Sequence, residues 1–458
     1  MKFFIFMILS FHAMGESSSQ KYEKEKYYYT ALNEYFLETY DKHKSKEDLE
    51  RLERLLYFTG IELLEDYETK LLEQYTTSST SFILGRRFAQ LKQNNKALFY
   101  FEKVHEEHRY FPETQLSKSK IFGDQAESLK ESEALERCKA TSIKQENQVE
   151  SVKIKRYYRM IFEICQVSIA RELYKKGNFR ESINAYDKIT KNSYKWPYII
   201  LEKAWAYYQL GDYNRTLGLL LTYKSPLLET YFFPEAEYLA ALSYFRLCLF
   251  EDSLIISKRY DQFYRPRFTE LYKVLDKNRA SQNYFYGLMF NSTDESKNND
   301  PFVRQMISRL KKQIRYSLDF NTVFKIDQEI KKILEIQDKA ERNHLLRHLI
   351  SVKENMINKI NYNTKTDIFN FLESVPFFSS ELFKVNLEII SRKRDLVYEK
   401  QDLTSNRSRG DYSNVNRSRF EQFWTFEGAF WADELGDYSL GLKSNCELKE
   451  VERSREDQ

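Results

Sequence analysis

Turn-forming residues are scarce in this chain, with 12 glycines and 7 prolines among 458 residues. A protein of many short strands needs far more of both at its turns, so a β-sandwich or barrel is excluded. Cysteines number four, Cys138, Cys165, Cys248 and Cys446, and their wide spacing excludes a local metal knuckle. An oxidising compartment would permit one long-range disulfide, but Cys165 and Cys248 sit in apolar helical surroundings and read as core thiols. No stretch beyond the N-terminus approaches the length of about 18 apolar residues that a membrane span requires, so no transmembrane segment is expected after N-terminal processing. Lys and Arg number 72 against 68 Asp and Glu, with both signs interspersed. The resulting net charge of +4 leaves no electrostatic footprint for nucleic acid. Basic runs such as Arg309 to Arg315 read as solvated helix faces. Glycine-rich phosphate loops, nucleophile elbows and Cys–His constellations are also missing.

What is present points to helices. Charged residues make up 31% of the chain and aromatics 16%, a mixture of polar faces and bulky packing faces that suits amphipathic helices and argues against general disorder. The fold class expected is therefore all-α. At the N-terminus, Lys2 precedes an apolar run from Phe3 to Phe11 and then Ala13-Met14-Gly15. That pattern fits a signal peptide over residues 1–15 with a mature chain starting near Glu16, and hence a periplasmic or secreted product. The competing reading is an ordinary buried first helix.

A repeat organises the middle of the sequence. Small residues Gly85, Ala170, Ala204 and Ala241 are each followed three positions later by a large one, Phe88, Leu173, Tyr207 and Tyr244. Twelve positions after each small residue comes a second one, Ala97, Ser182, Thr216 or Ser253. Small side chains let two helices approach closely while a bulky neighbour fills the groove beside the contact, so this is the signature of a two-helix unit. Gly177-Asn178-Phe179 and Gly211-Asp212-Tyr213 mark the turns, where glycine can adopt the left-handed conformation that ends a helix. Pro112, Pro197 and Pro234 suit the first turn of a helix, and Phe111, Trp196 and Phe233 before them suit a hydrophobic staple.

On these residues the sequence resembles the tetratricopeptide repeat (TPR) family, most clearly in Ala204-Trp205-Ala206-Tyr207-Tyr208-Gln209-Leu210-Gly211-Asp212-Tyr213. The resemblance runs through Arg171 to Tyr260, weakens over Ser81 to Pro112 and is absent elsewhere. The third unit departs from the pattern, with Cys248 in the glycine position and a connection lengthened through Tyr231-Phe232-Phe233. Tyr231-Phe232-Phe233-Pro234-Glu235-Ala236 and Phe430-Trp431-Ala432-Asp433-Glu434-Leu435-Gly436-Asp437-Tyr438 are similar to segments of exported TPR proteins of predatory and gliding bacteria, a group that includes periplasmic gliding-motility components. The family resemblance implies an α-solenoid, a right-handed superhelix of antiparallel helix pairs. It also implies a cell-envelope scaffold and supplies no catalytic residue.

Around the repeats, residues 16–116 are expected to hold N-terminal helices and a degenerate TPR, and residues 117–150, rich in Ser, Lys, Glu and Gln, a polar insertion that is exposed and either helical or partly disordered. The repeat array itself spans 151–290. Residues 301–403 form a long-helix region, in which Ile326, Ile330, Ile333 and Leu334 with Leu345, Leu349 and Val352 suit an antiparallel helical pair and only Pro376 interrupts the periodicity. Residues 404–422 read as a linker, 423–446 as a C-terminal aromatic segment and 447–458 as a charged tail.

Candidate chemistry is thin. His344 and His348 stand four apart on a helix, but Leu345-Leu346-Arg347 between them lacks the glutamate of a zinc-hydrolase helix, so they read as a surface pair. His105 and His108 enclose Glu106-Glu107 at a helix end and read the same way. No catalytic, metal or cofactor residue is assigned, and no enzyme is expected. The functional expectation is a surface on an exported scaffold that binds other envelope proteins or peptides, in motility or envelope assembly, with Tyr208, Tyr231 and Phe232 as partner-contact candidates. Gly85, Ala97, Ala170, Ser182, Ala204, Thr216, Ala241 and Ser253 are assigned to repeat packing. The reading from a different class is an accessory domain of an envelope enzyme or a cell-wall hydrolase, which an acidic cleft would favour.

Overall fold

The computed structural model describes residues 17–40, 42–228, 231, 233–291, 301–398, 423 and 427–446. The expected signal peptide, linker and charged tail, and Phe232, lie outside these residues. Among the described residues the chain is all-helical, with no strand. They fall into two compact units, one drawn from residues 1–110 and 318–356, the other from 111–317 and 357–458.

In the first unit α1 (Ser18–Lys24) pairs with α2 (Tyr28–Thr39), α3 (Lys46–Thr59) packs on α2, and after the short α4 (Thr69–Leu72) come α5 (Ser78–Gln90) and α6 (Asn94–Phe101). The second unit contains α7 (Phe111–Asp124) with α8 (Ser128–Gln148), α9 (Val152–Lys175) with α10 (Phe179–Tyr186), α11 (Trp196–Gln209) with α12 (Tyr213–Leu221), and α13 (Pro234–Arg246) with α14 (Phe250–Lys277). Successive pairs pack on one another, α8 on α9, α10 on α11 and α12 on α13. The shorter α15 (Tyr284–Asn291) and α16 (Pro301–Lys311) follow, then α17 (Ile314–Ile333) and α18 (Lys339–Tyr398).

One turn closes six of these pairs. Lys26, Lys92, Ala126, Gly177, Gly211 and Cys248 all have a left-handed φ, from 55° to 78°. After each of them the next N–H reaches back to a carbonyl near the end of the first helix, in Tyr27 to Tyr22, Gln93 to Phe88, Glu127 to Phe122, Asn178 to Leu173, Asp212 to Tyr207 and Leu249 to Tyr244, at 2.9–3.0 Å. This is a Schellman cap, which satisfies carbonyls a helix end otherwise leaves unpaired. Glycine supplies the conformation at no steric cost in two pairs, while the other four place an L-residue there at a cost of ~1–2 kcal/mol. Cys248 therefore adopts the turn that glycine adopts in the preceding pairs.

The small-residue contacts fall at these pairs. Ser182 Oγ donates to the Ala170 carbonyl at 2.7 Å, Thr216 Oγ1 to the Ala204 carbonyl at 3.3 Å and Ser253 Oγ to the Ala241 carbonyl at 2.9 Å. All six residues are fully buried; the Ser182 and Ser253 hydroxyls are satisfied across the close approach of their two helices, while Thr216 Oγ1 lies nearer the Asp212 carbonyl, at 2.9 Å. Gly85 makes the equivalent approach without a hydroxyl, since a Cβ there would lie 2.5 Å from the Phe101 ring. The α1–α2 pair reverses the polarity, with Ser19 Oγ donating to the Ala31 carbonyl at 2.8 Å.

Several expectations require correction. Cys165 and Cys248 are not core thiols, because the fold sets Cys138 against Cys165 and Cys248 against Cys446, with Cα–Cα distances of 6.0 and 5.4 Å, and both pairs are disulfides. The polar stretch 117–150 is helical, one of the two forms expected of it, but it is packed into the repeat array and is not a separate exposed insertion. It supplies the end of α7 and the whole of α8, whose Ala134, Leu135 and Cys138 are buried against α9. The long-helix region, whose standing as a separate domain the sequence leaves open, is divided between the two units, with residues 318–356 in the first and 301–317 and 357 onward in the second. Helix α18 runs through Pro376 without a break. Ile326, Ile333, Leu345 and Leu349 are buried as expected of a helical pair, whereas Leu334 is exposed.

Side chains distant in sequence cap two helices, of which α2 has no side-chain cap from its own N-cap residue. Glu329, 5% exposed, accepts from the Tyr29 amide at 3.1 Å, and from the Thr30 amide and hydroxyl at 2.8 and 2.7 Å, at the start of α2. Asn361 Oδ1 accepts from the Phe285 and Tyr286 amides, both at 3.0 Å, at the start of α15. Each fills donors that the first turn of a helix leaves open.

Candidate binding surface

The surface that distinguishes this molecule lies on the α11–α14 pairs. Beneath it, Ile200, Leu201, Ala204, Leu219, Leu220 and Leu239 form a buried cluster that fixes α11, α12 and α13 together. Tyr208 and Tyr231 are half-buried and already engaged. The Tyr208 ring stands edge-on to Trp205 and Tyr213 at 5.6 and 5.4 Å, and its hydroxyl accepts from Arg246 Nε at 3.1 Å. Tyr231 lies parallel to Phe233 at 6.4 Å and edge-on to Tyr198 at 6.2 Å. Lys312 sits 4.8 Å from the Tyr231 ring centre and donates to its hydroxyl at 3.1 Å. Phe233, placed in the staple role, packs on Tyr223 at 4.9 Å.

Tyr231 and Phe233 form one wall of a cavity of about 920 Å³ between α12, α13 and α14. Its apolar lining includes Leu217, Tyr244, Ile256 and Phe263, and its charged lining is Lys224, Arg259 and Arg267 with Glu237 and Asp252. Arg267, in the lining, lies over the Phe263 ring at 3.8 Å. On the other side of Phe233 is a smaller recess of about 340 Å³. There Arg309 is held against Tyr198, Phe233 and Phe371 at 4.8, 4.9 and 5.7 Å and donates to the Tyr198 hydroxyl at 2.9 Å.

The C-terminal segment contributes Leu440 to the lining of the large cavity. Residues 436–446 run across α12 and the turn between α13 and α14, with no regular helix between the turn at Gly436 and Asn445. The Leu440 amide donates to the Asn214 carbonyl at 3.1 Å. The Asn214 side chain then accepts from the Leu442 amide at 2.9 Å and donates to its carbonyl at 3.1 Å. Gly436 N–H donates to Thr222 Oγ1 at 3.0 Å, and Asn445 N–H to the Leu247 carbonyl at 2.9 Å. Leu440 and Leu442 pack on Leu217, Leu247 and Leu249, and the Cys248–Cys446 disulfide closes the end. The sequence marked this stretch as aromatic and apolar without placing it. The alternation Tyr438, Leu440, Leu442 is the signal that it lies extended on a surface.

The histidines take structural positions. His108 Nε2 lies 3.3 Å from Glu53 Oε2, and Glu53 also accepts from the Ser79 amide and hydroxyl at 2.9 and 2.6 Å. Burial alone would raise the Glu53 carboxyl, but these hydrogen bonds and the His108 charge hold it down at about 2. His105 donates its backbone amide to Ser78 Oγ at 3.2 Å. His344 is exposed at 3.7 Å from Glu34, and burial, with the His344 charge, lowers the His348 imidazole. Among the described residues no group of three or more His, Cys, Asp or Glu side chains is placed to hold a metal ion, and no helix is long and apolar enough to cross a membrane. No protein-family model and no curated protein matches this chain.

Proposed function

We propose that this chain is an exported scaffold of the TPR type that holds other cell-envelope proteins together, and that it does so through the cavity between α12, α13 and α14. The single observation that carries the reading is the composition of that cavity: a volume of about 920 Å³ walled by aromatic and aliphatic side chains, with charged groups at its edge. Such a recess suits an apolar anchor from a partner with polar contacts around it. Three cations against two carboxylates in the lining favour protein binding over the acidic cleft a polymer hydrolase would use. The solenoid assignment is supported by the repeated Schellman turn, by the Gly177 to Gly211 interval and by pairs that pack in succession. Two disulfides support an oxidising destination, in keeping with the signal-like N-terminus.

The test is affinity capture from the envelope fraction with the full chain and with a Tyr231→Ala, Phe263→Ala double variant. Loss of the captured proteins with helical content unchanged supports the cavity as the contact surface. An unaltered set of captured proteins places that surface elsewhere. Cell fractionation with sequencing of the mature N-terminus tests export, and a cytoplasmic product that starts at Met1 would remove it.

A further inference from the structure

The groove that holds residues 436–446 is selective. Gly218 in α12 lies so close to the segment that a Cβ there would sit 2.0 Å from the Tyr438 carbonyl oxygen and 2.3 Å from its carbon. Gly436 in turn has φ +85°, and a Cβ on it would come 2.9 Å from the Trp196 ring. Lys191 pairs with Asp437 at 2.7 Å. An occupant must therefore offer a left-handed glycine under Trp196, unobstructed main chain over Gly218 and apolar side chains at alternate positions beyond, and an acidic residue after the glycine meets Lys191. That is the sequence of this chain's own C-terminal segment.

We propose that the groove also accepts the same segment from a second copy of the chain, giving a segment-exchanged dimer sealed by Cys248–Cys446 bonds between copies. A second copy presents the required sequence by identity, and main-chain contacts such as those of Asn214 are the same whichever copy supplies the segment. Twenty-eight residues, 399–426, lie between α18 and the stretch that carries the segment, and a chain of that length can span at most on the order of 90 Å. Both cysteines are half-buried, so the bond is open to thiol attack. The described cysteines are all paired, so exchange is started by an external thiol such as reduced glutathione. Its thiolate opens one Cys248–Cys446 bond as a mixed disulfide, the freed cysteine thiolate attacks the bond of the second copy, and the thiol is released as the last bond closes, so two bonds within chains become two between chains with no net oxidant. A reciprocal swap closes on itself with two-fold symmetry.

Two full-length variants with different tags test this. Cys446→Ser leaves Cys248 open, and Cys248→Gly leaves Cys446 open while placing glycine at a left-handed position. They are mixed in a glutathione redox buffer, in which oxidised glutathione takes up the two electrons and two protons released as the thiols join. The expected product is a covalent heterodimer whose digest contains a Cys248–Cys446 cross-linked peptide, with its yield cut at least tenfold by Gly218→Ala in the Cys446→Ser chain. No cross-linked peptide, or a yield indifferent to Gly218→Ala, overturns the proposal. Should either variant fail to fold, reduced wild-type chain reoxidised at increasing concentration decides. A dimer fraction that rises with concentration supports exchange, and monomer throughout overturns it.

Discussion

Replacing Gly218 with alanine sets two effects of known size against each other. In a helix interior alanine is better than glycine by about 1 kcal/mol, so the change by itself should stabilise α12. The new methyl would, however, stand 2.0 Å from the Tyr438 carbonyl oxygen and 2.6 Å from the Ser439 Cα. Both neighbours are main chain, with no flexible side chain to yield, so the segment must retreat by more than an ångström. Retreat breaks the three hydrogen bonds between Asn214 and Leu440 or Leu442, each worth about 0.5–1.5 kcal/mol net. It also uncovers part of Leu440 and Leu442, at about 25 cal/mol per Å² of apolar surface. The loss outweighs the helix gain, and a net destabilisation of about 2–4 kcal/mol is expected. Urea unfolding gives the magnitude, and limited proteolysis reports whether residues 436–446 have come away. A variant about 1 kcal/mol more stable than wild type, with the segment equally protected, would refute the close approach on which this reasoning rests.

Ala204→Leu should overpack the contact with Thr216, where both residues are fully buried, and cost about 1–3 kcal/mol; an unchanged Tm would show that α11 and α12 are not in close contact there. The Glu53 carboxyl, held at about 2 against an ordinary 4.5, binds its proton less readily folded than unfolded. It therefore contributes on the order of 2–4 kcal/mol that is fully present above about pH 4.5 and is lost as pH falls toward 2. Glu53→Gln should flatten the fall in stability measured by urea unfolding across that window, and an unaltered slope would count against it. In the chain-entropy account, the Cys248–Cys446 bond, with a separation of 198, stabilises by about 5 kcal/mol, and Cys138–Cys165, with 27, by about 3.5 kcal/mol. Paired cysteine-to-alanine variants should rank in that order on urea unfolding.

Local pattern carried much of the architecture. The scarcity of glycine and proline and the helical periodicity were enough for an all-helical chain, and the interval between small residues was enough to pick out Ala170 with Ser182, Ala204 with Thr216 and Ala241 with Ser253. Close helix approach leaves no room for larger side chains, so that constraint is written into residue size. Gly177 and Gly211 disclosed their turns for a comparable reason, since a left-handed residue favours glycine. Lys26, Lys92 and Ala126 adopt the same conformation without glycine, and so the α1–α2, α5–α6 and α7–α8 pairs gave no sign of their turns. There the cap hydrogen bonds and the packing of the two helices outweigh the strain of one residue.

The site was legible only in fragments. Tyr231 was singled out and does line the cavity, but its engagement by Lys312 and Phe233 depends on elements joined by folding. Cysteine pairing was not written in the sequence, because which thiols meet is set by whether helices or segments far apart along the chain bring their Cα atoms within about 7 Å. The polar composition of 117–150 suggested exposure, yet a few well-spaced residues, Ala134, Leu135 and Cys138, were enough to anchor α8. By itself, then, the sequence determined the helical class, the paired units and the close contacts within them, all of which follow from side-chain size and period over a dozen residues. Tertiary structure alone decided the disulfides, the remote caps from Glu329 and Asn361, and the seating of residues 436–446 on α12, because each joins groups whose separation along the chain carries no local signal.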